Sequence, residues 1–199
     1  MDDIVIRAMG KWPDVPHVYG WLRLNRRGDW LIKGEHITNS GVTAFIGRNY
    51  GVDERGRWFF QNGPQRVFVA LDYTPFVVRT SGDGPPSLET HINCPIGKLS
   101  GAWIDEMGSL LLRWGSEVGV LDDRDLPGIL GLFTDLHGNA VDDGLLGRVF
   151  DREFRRQATG IYIEYAGIRV PIGRIQAGEA AQKFGFDPAP QPANGEPEC

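Results

Sequence analysis

The chain has 199 residues, 41% hydrophobic and 24% charged, with a formal net charge of −5. That length buries a sizeable core in one large domain or two small ones, and the acidic balance falls short of the strongly basic one of a dedicated nucleic-acid binder. No apolar run approaches the ~20 residues of a membrane span, and two cysteines, Cys94 and Cys199, provide no disulfide framework.

Residues 1–20 are aromatic and punctuated by Pro13 and Pro16. The prolines favour an extended arm packed along the body. Residues 21–33 read as a hairpin turning at Asn25-Arg26-Arg27-Gly28-Asp29, with Trp30 and Ile32 on one face. Residues 38–50 read as a short helix, capped by Thr38, Asn39 or Ser40, with Val42, Phe45, Ile46 and Asn49 along one stripe. The turn pattern returns at Asp53-Glu54-Arg55-Gly56-Arg57, leading into Trp58-Phe59-Phe60. Asn62-Gly63 looks like a tight turn, but Pro64 follows, and its missing N–H argues for a wider loop. Residues 66–71 are apolar on both faces and read as a central strand. Phe76-Val77-Val78 is another short strand.

Residues 81–97 read as a linker, because prolines and turn formers gather at 81–90 and the charge changes sign there. Residues 1–80 hold 11 Lys and Arg against 8 Asp and Glu; the remainder holds 10 against 18. A third copy of the turn, Asp105-Glu106-Met107-Gly108-Ser109, joins two strands within 100–113. Val118-Gly119-Val120 is a strand. Asp122–Phe133 suggests a helix weakened by Pro127-Gly128, and Asp142-Asp143 opens a further helical stretch towards Phe150. Residues 158–173 form a last hairpin turning at Ala166-Gly167, residues 177–186 a last helix, and residues 187–199 a disordered tail.

The three turns share one design. Asn or Asp accepts hydrogen bonds from the backbone ahead of it, and the Gly three residues on takes the left-handed conformation that closes a bulged hairpin. The fold class expected is α+β: two β-rich halves, 1–80 and 98–186, with curved antiparallel sheets built from hairpins, each covered by short helices.

The run Gly28-Asp29-Trp30 through Gly34-Glu35-His36-Ile37, the block Trp58-Phe59-Phe60-Gln61-Asn62-Gly63-Pro64-Gln65-Arg66-Val67, and Asp72-Tyr73-Thr74-Pro75-Phe76 resemble a group of proteobacterial two-part proteins classed as domains of unknown function. The resemblance is good over 20–80 and loose over 98–173. It implies a soluble bacterial protein with an α+β first part and a β-rich second part. No functional residue is carried over with it.

Three functional readings remain. The first is a non-enzymatic module binding a protein or small molecule, since structural signals abound and catalytic ones are sparse. The second is a metal-assisted enzyme using the acidic cluster Asp122, Asp123, Asp125, His137 and Asp143, where carboxylates and an imidazole could hold a divalent ion. Against it, Asp at a helix start or turn serves structure equally well, and the spacing fits no metal template. The third is a single-strand nucleic-acid binder through Arg26, Arg27, Trp30, Arg55, Arg57 and Trp58, which interleave cations with stacking rings. Strand alternation opposes it by turning the Trp rings inward. His91-x-x-Cys94 has ligand spacing but no second pair nearby. No P-loop, dinucleotide fingerprint or nucleophile elbow occurs. Whether a reaction is catalysed stays open. The expectations are no cofactor, no membrane, disfavoured nucleic acid, an unidentified protein or small-molecule partner, a homo-oligomer as a compatible state, and a cytoplasmic location. That location rests on the sparse cysteines and on a start, Met1-Asp2-Asp3-Ile4, unlike a secretory signal.

Overall fold

A computed structural model describes residues 1–12, 15–82, 86–150 and 159–192, without the side chains of residues 143 and 148–150. The chain forms two compact units: Met1–Pro75 with the residues from Ala181 onward, and Phe76–Ala180. No described helix is long and apolar enough to cross a membrane. The architecture is α+β, with one mixed sheet in each unit.

The first unit contains α1 (Asp3–Lys11), β1 (Val18–Leu24), β2 (Trp30–Ile32), β3 (Glu35–His36), α2 (Ser40–Arg48), β4 (Tyr50–Val52), β5 (Trp58–Asn62) and β6 (Gln65–Leu71). Its sheet runs β3-β2-β1-β6-β5-β4, with β1 and β6 parallel and its other pairs antiparallel. β6 lies inside the sheet, as its two apolar faces require, and Phe68 and Val69 are fully buried. Asn39 caps α2, its Oδ1 accepting from the N–H groups of Gly41 at 2.9 Å and Val42 at 3.1 Å.

Three sequence expectations are corrected in this unit. Residues 3–11 are helical rather than extended. The prolines act only from Trp12 onward, where the residue before Pro13 leaves the α region. Ahead of them, Val5 is buried and the Asp2 N–H donates to Asn49 Oδ1 at 2.8 Å. The turn at Gly63-Pro64 has two residues, since Asn62 pairs directly with Gln65. Gly63 takes φ 57°, and the ladder N–H groups there belong to Asn62 and Gln65, so Pro64 loses nothing. The expected tail is anchored at its start: the Asp187 N–H donates to Gly56 O at 2.9 Å and the Leu71 N–H to Pro188 O at 2.8 Å. Residues 193–199 of that expected tail lie outside the described residues.

The second unit contains β7 (Phe76–Ser81), β8 (Ser87–Thr90), β9 (Leu99–Ile104), β10 (Leu110–Trp114), β11 (Glu117–Leu121), α3 (Leu126–Ile129), β12 (Phe133–Thr134), α4 (Asp143–Phe150), β13 (Tyr162–Tyr165) and β14 (Ile168–Arg174); α5 (Ala180–Phe184) follows. The order is β12-β13-β14-β9-β10-β11-β7-β8, with β14/β9 and β11/β7 parallel. Ser87–Thr90, within the expected linker, is an edge strand paired with β7. The single helix expected over Asp122–Phe133 is a 3₁₀ turn at Asp123–Asp125, one α turn and a second 3₁₀ turn at Leu130–Leu132. Pro127 is tolerated at the start of α3, where its N–H would be unbonded anyway.

Among the described residues the turn design occurs four times rather than three. At Asn25, Asp53, Asp105 and Asp135, the Gly three residues on donates its N–H to the first residue's carbonyl at 3.0–3.1 Å. The first residue's Oδ1 accepts from the N–H groups two and four residues ahead at 2.8–3.0 Å. The four glycines take φ of 78°, 77°, 86° and 88°.

Candidate functional site

The third of these turns sets the floor of an apolar cavity in the second unit. Asp105 fixes the hairpin so that Ile104 and Leu110 pair across it. Their side chains share the core face with Ile172, whose strand lies parallel to β9. Ile161 is tied beside Ile172 by a 2.8 Å bond from the Ile172 N–H to the Ile161 carbonyl. Buried Thr159 donates its hydroxyl to Ile172 O at 2.5 Å and accepts from the Ile161 N–H at 3.2 Å. The opposite wall comes from α3, the 3₁₀ turn after it and α4.

Between floor and wall lies a cavity of about 200 Å³. Every lining residue is apolar: Ile104, Leu110, Phe133, Ile161 and Ile172 are buried, and Leu126, Pro127, Leu130 and Leu146 form the wall. Leu130 is 39% exposed, which puts one side of the wall in contact with solvent. A void lined only by apolar groups stays dry, and one of about 150 Å³ accepts a benzene ring. The arrangement can therefore take up hydrocarbon; it presents no acid, base or nucleophile to it.

Two of the acidic residues singled out from sequence, Asp122 and Asp125, hold this wall in place. Asp122 is 1% exposed, and its carboxylate takes the Arg124 guanidinium at 2.5 and 2.9 Å. Burial opposes the Asp122 charge, but the Arg124 bonds outweigh it and hold the carboxyl below its ordinary range. Its N–H donates to Val78 O at 2.8 Å. Asp125 Oδ2 accepts from the Thr80 N–H at 2.9 Å. Together these bonds fasten the start of α3 to β7. Asp123 is exposed, Asp143 opens α4, and His137 is carried exposed at the tip of the fourth turn, where Asp135 Oδ1 binds its N–H. Among the described residues no three His, Cys, Asp or Glu side chains gather where they could hold a metal ion.

The Arg and Trp residues of the nucleic-acid reading are also absorbed by the fold. Trp30 and Trp58 are 3% and 7% exposed, packed on Tyr50 at centroid distances of 5.2 and 4.8 Å. Neither ring is open to a base. Arg57 pairs with Asp53 at 2.7 Å and covers the Phe68 ring, and Arg26 covers Tyr73. Arg27 and Arg55 sit at turn tips, where their N–H groups bind Asn25 and Asp53.

His91 and Cys94 do not form a site. Cys94 is exposed, whereas His91 is half-buried and its Nδ1 accepts from the Val77 N–H at 3.3 Å. Burial, with the Arg79 charge second, lowers the His91 imidazole to about 3, so it is neutral at physiological pH. The cavity itself was missed by sequence reasoning. Its lining residues read simply as core, because a void has no signature in the order of apolar residues.

Among curated proteins, none matches this chain. It is similar in fold to the crystal structure of a DUF1285 family protein from Silicibacter pomeroyi DSS-3, at 15% identity and a TM-score of 0.52, over 86% of this chain and 94% of that one. A second DUF1285 family protein, from Shewanella baltica OS155, has 15% identity and a TM-score of 0.40 over 59% of this chain and 92% of that one. The sequence pattern of the DUF2944 family, described as "Protein of unknown function (DUF2946)", matches residues 1–191, and the chain belongs to that family.

Proposed function

We propose that the protein is a non-enzymatic binding module whose second unit takes an apolar ligand, or the apolar end of one, into the cavity beneath α3. The observation carrying this reading is the cavity of about 200 Å³ with a wholly apolar lining and the partly exposed Leu130 in its wall. A closely packed interior leaves few voids larger than a water molecule, so a space of this size has been kept open. The charged residues nearby support the reading by their use: Asp122 and Asp125 are engaged in bonds that position the wall. We also place the module in the cytoplasm, a reading supported by its two cysteines, of which Cys94 is an exposed thiol.

Native mass spectrometry of the full chain, purified gently from cells, tests the binding role. The expected result is a retained apolar mass, lost when Ile172→Phe fills the cavity. An unliganded mass, together with no uptake of added cyclohexane by the wild type, would overturn it. Cell fractionation that places the protein outside the cytoplasm would overturn the location.

A further inference from the structure

A second cavity, independent of the first, lies in the Met1–Pro75 unit. It is also about 200 Å³, and α2 roofs it over the sheet. Its floor, Val18, Leu22 and Phe60, is buried, as is Ile46 in the roof. Its rim is unlike that floor. Trp21, Ile32 and Val42 come from β1, β2 and α2, yet converge on one opening while 44%, 45% and 41% exposed. Scattered exposed apolar residues need no explanation; three around one concavity mark a place where something docks.

The polar groups at this rim define the occupant. Lys33 takes the left-handed conformation at φ 50° in the two-residue turn after β2. Its N–H donates to Trp21 O at 2.9 Å, and its ammonium lies 3.9 Å over the Trp21 ring. Among the described residues Lys33 has no ion pair, so its charge is available beside the Trp21 wall of the cavity. The Asn62 amide, at the end of β5, also lines the cavity. Glu35 sits one strand further out, paired with Ile32 on the side away from β1. Gln65 lines the cavity as well, its Nε2 donating to Pro16 O at 2.9 Å. An apolar bowl with a cation beside its Trp21 wall is complementary to an amphiphilic anion.

We propose that this groove binds a small aromatic or branched aliphatic carboxylate. The apolar body sits against Trp21, Ile32 and Val42, and the carboxylate meets the Lys33 ammonium beside Trp21. The volume limits the buried part to about one ring, by comparison with the ~150 Å³ cavity that benzene fills. This site shares no residue with the cavity beneath α3.

The test is a titration of the ¹⁵N-labelled full chain with 3-phenylpropanoate and, separately, with the neutral 3-phenylpropanol. The carboxylate is expected to shift the Trp21 indole and Asn62 amide signals saturably. Lys33→Met should weaken it about two- to fivefold, the range of an exposed ion pair, and leave the alcohol unchanged. Val42→Asp should abolish binding of both while circular dichroism stays that of the wild type. No saturable shift at Trp21 would overturn the proposal. So would an alcohol that binds as well as the carboxylate, or a Lys33→Met variant that binds the carboxylate undiminished. Shifts at Trp21 that depend on protein concentration without added probe would assign the groove to a second copy and overturn it equally.

Discussion

One side-chain oxygen, from Asn25, Asp53, Asp105 or Asp135, organises each of the four turns. Asp105 is 5% exposed and its Oδ1 holds the N–H groups of Met107 at 2.9 Å and Ser109 at 2.8 Å. Removing it leaves two part-buried N–H groups without their acceptor, so Asp105→Ala should cost about 1–3 kcal/mol in urea denaturation, the sum of two such bonds. Asp105→Asn should recover most of that loss, because Asn25 makes the same two bonds in the first turn. His91 supplies a second prediction, in pH. Its folded value of about 3 lies below the ordinary 6.5, so the unfolded chain binds the proton first. Stability should therefore be unaffected by this group above pH 6.5 and fall as pH drops from 6.5 towards 3. His91→Asn keeps an acceptor for the Val77 N–H without a titrating ring. Between pH 6.5 and 4 it should lose less stability than the wild type. An equal loss in both proteins would remove His91 as the cause.

At the scale of elements, the turns were legible and the partners of strands were not. Asn25, Asp53 and Asp105 each announced a hairpin through residues close in sequence, and Ala166-Gly167 did the same, with φ of 51° and 73° at a two-residue turn. The fourth turn, at Asp135, carries the same pattern, but its His137 drew attention as a ligand instead. The parallel pairs β1/β6, β11/β7 and β14/β9 join segments remote in sequence, and no local pattern encodes them. The C-terminal anchor is a further case. A Cβ on Gly56 would lie 2.4 Å from the Gly185 carbonyl oxygen, and Gly56 has φ 77°. Gly138 has a similar φ of 88° but nothing within 4 Å. Gly138→Ala should cost only the left-handed strain of about 1–2 kcal/mol. Gly56→Ala should cost more and should release the segment around Asp187 to limited proteolysis. Equal costs would mean that the C-terminal segment does not press on this turn.

For the whole molecule, composition and patterning gave the α+β class and two β-rich parts, while the candidate site stayed hidden. Asp122, Asp123, Asp125, His137 and Asp143 drew attention because charged residues stand out in a sequence, yet Asp122 and Asp125 are used to secure a wall. The cavity depends on how α3 and the broken helical run after it stand off from Ile104, Leu110 and Ile172. That spacing is a property of packing, which only the assembled unit displays. The account stands or falls on whether this space takes up an apolar molecule. The most direct measurement is a titration of the methyl-labelled full chain with cyclohexane, read at the δ1 methyls of Ile104, Ile161 and Ile172. Saturable shifts are expected at these three methyls, lost in Ile172→Phe, with a rise in stability of about 2.7 kcal/mol at a hundred times Kd. Methyls that stay unmoved to the solubility limit of the probe would contradict it.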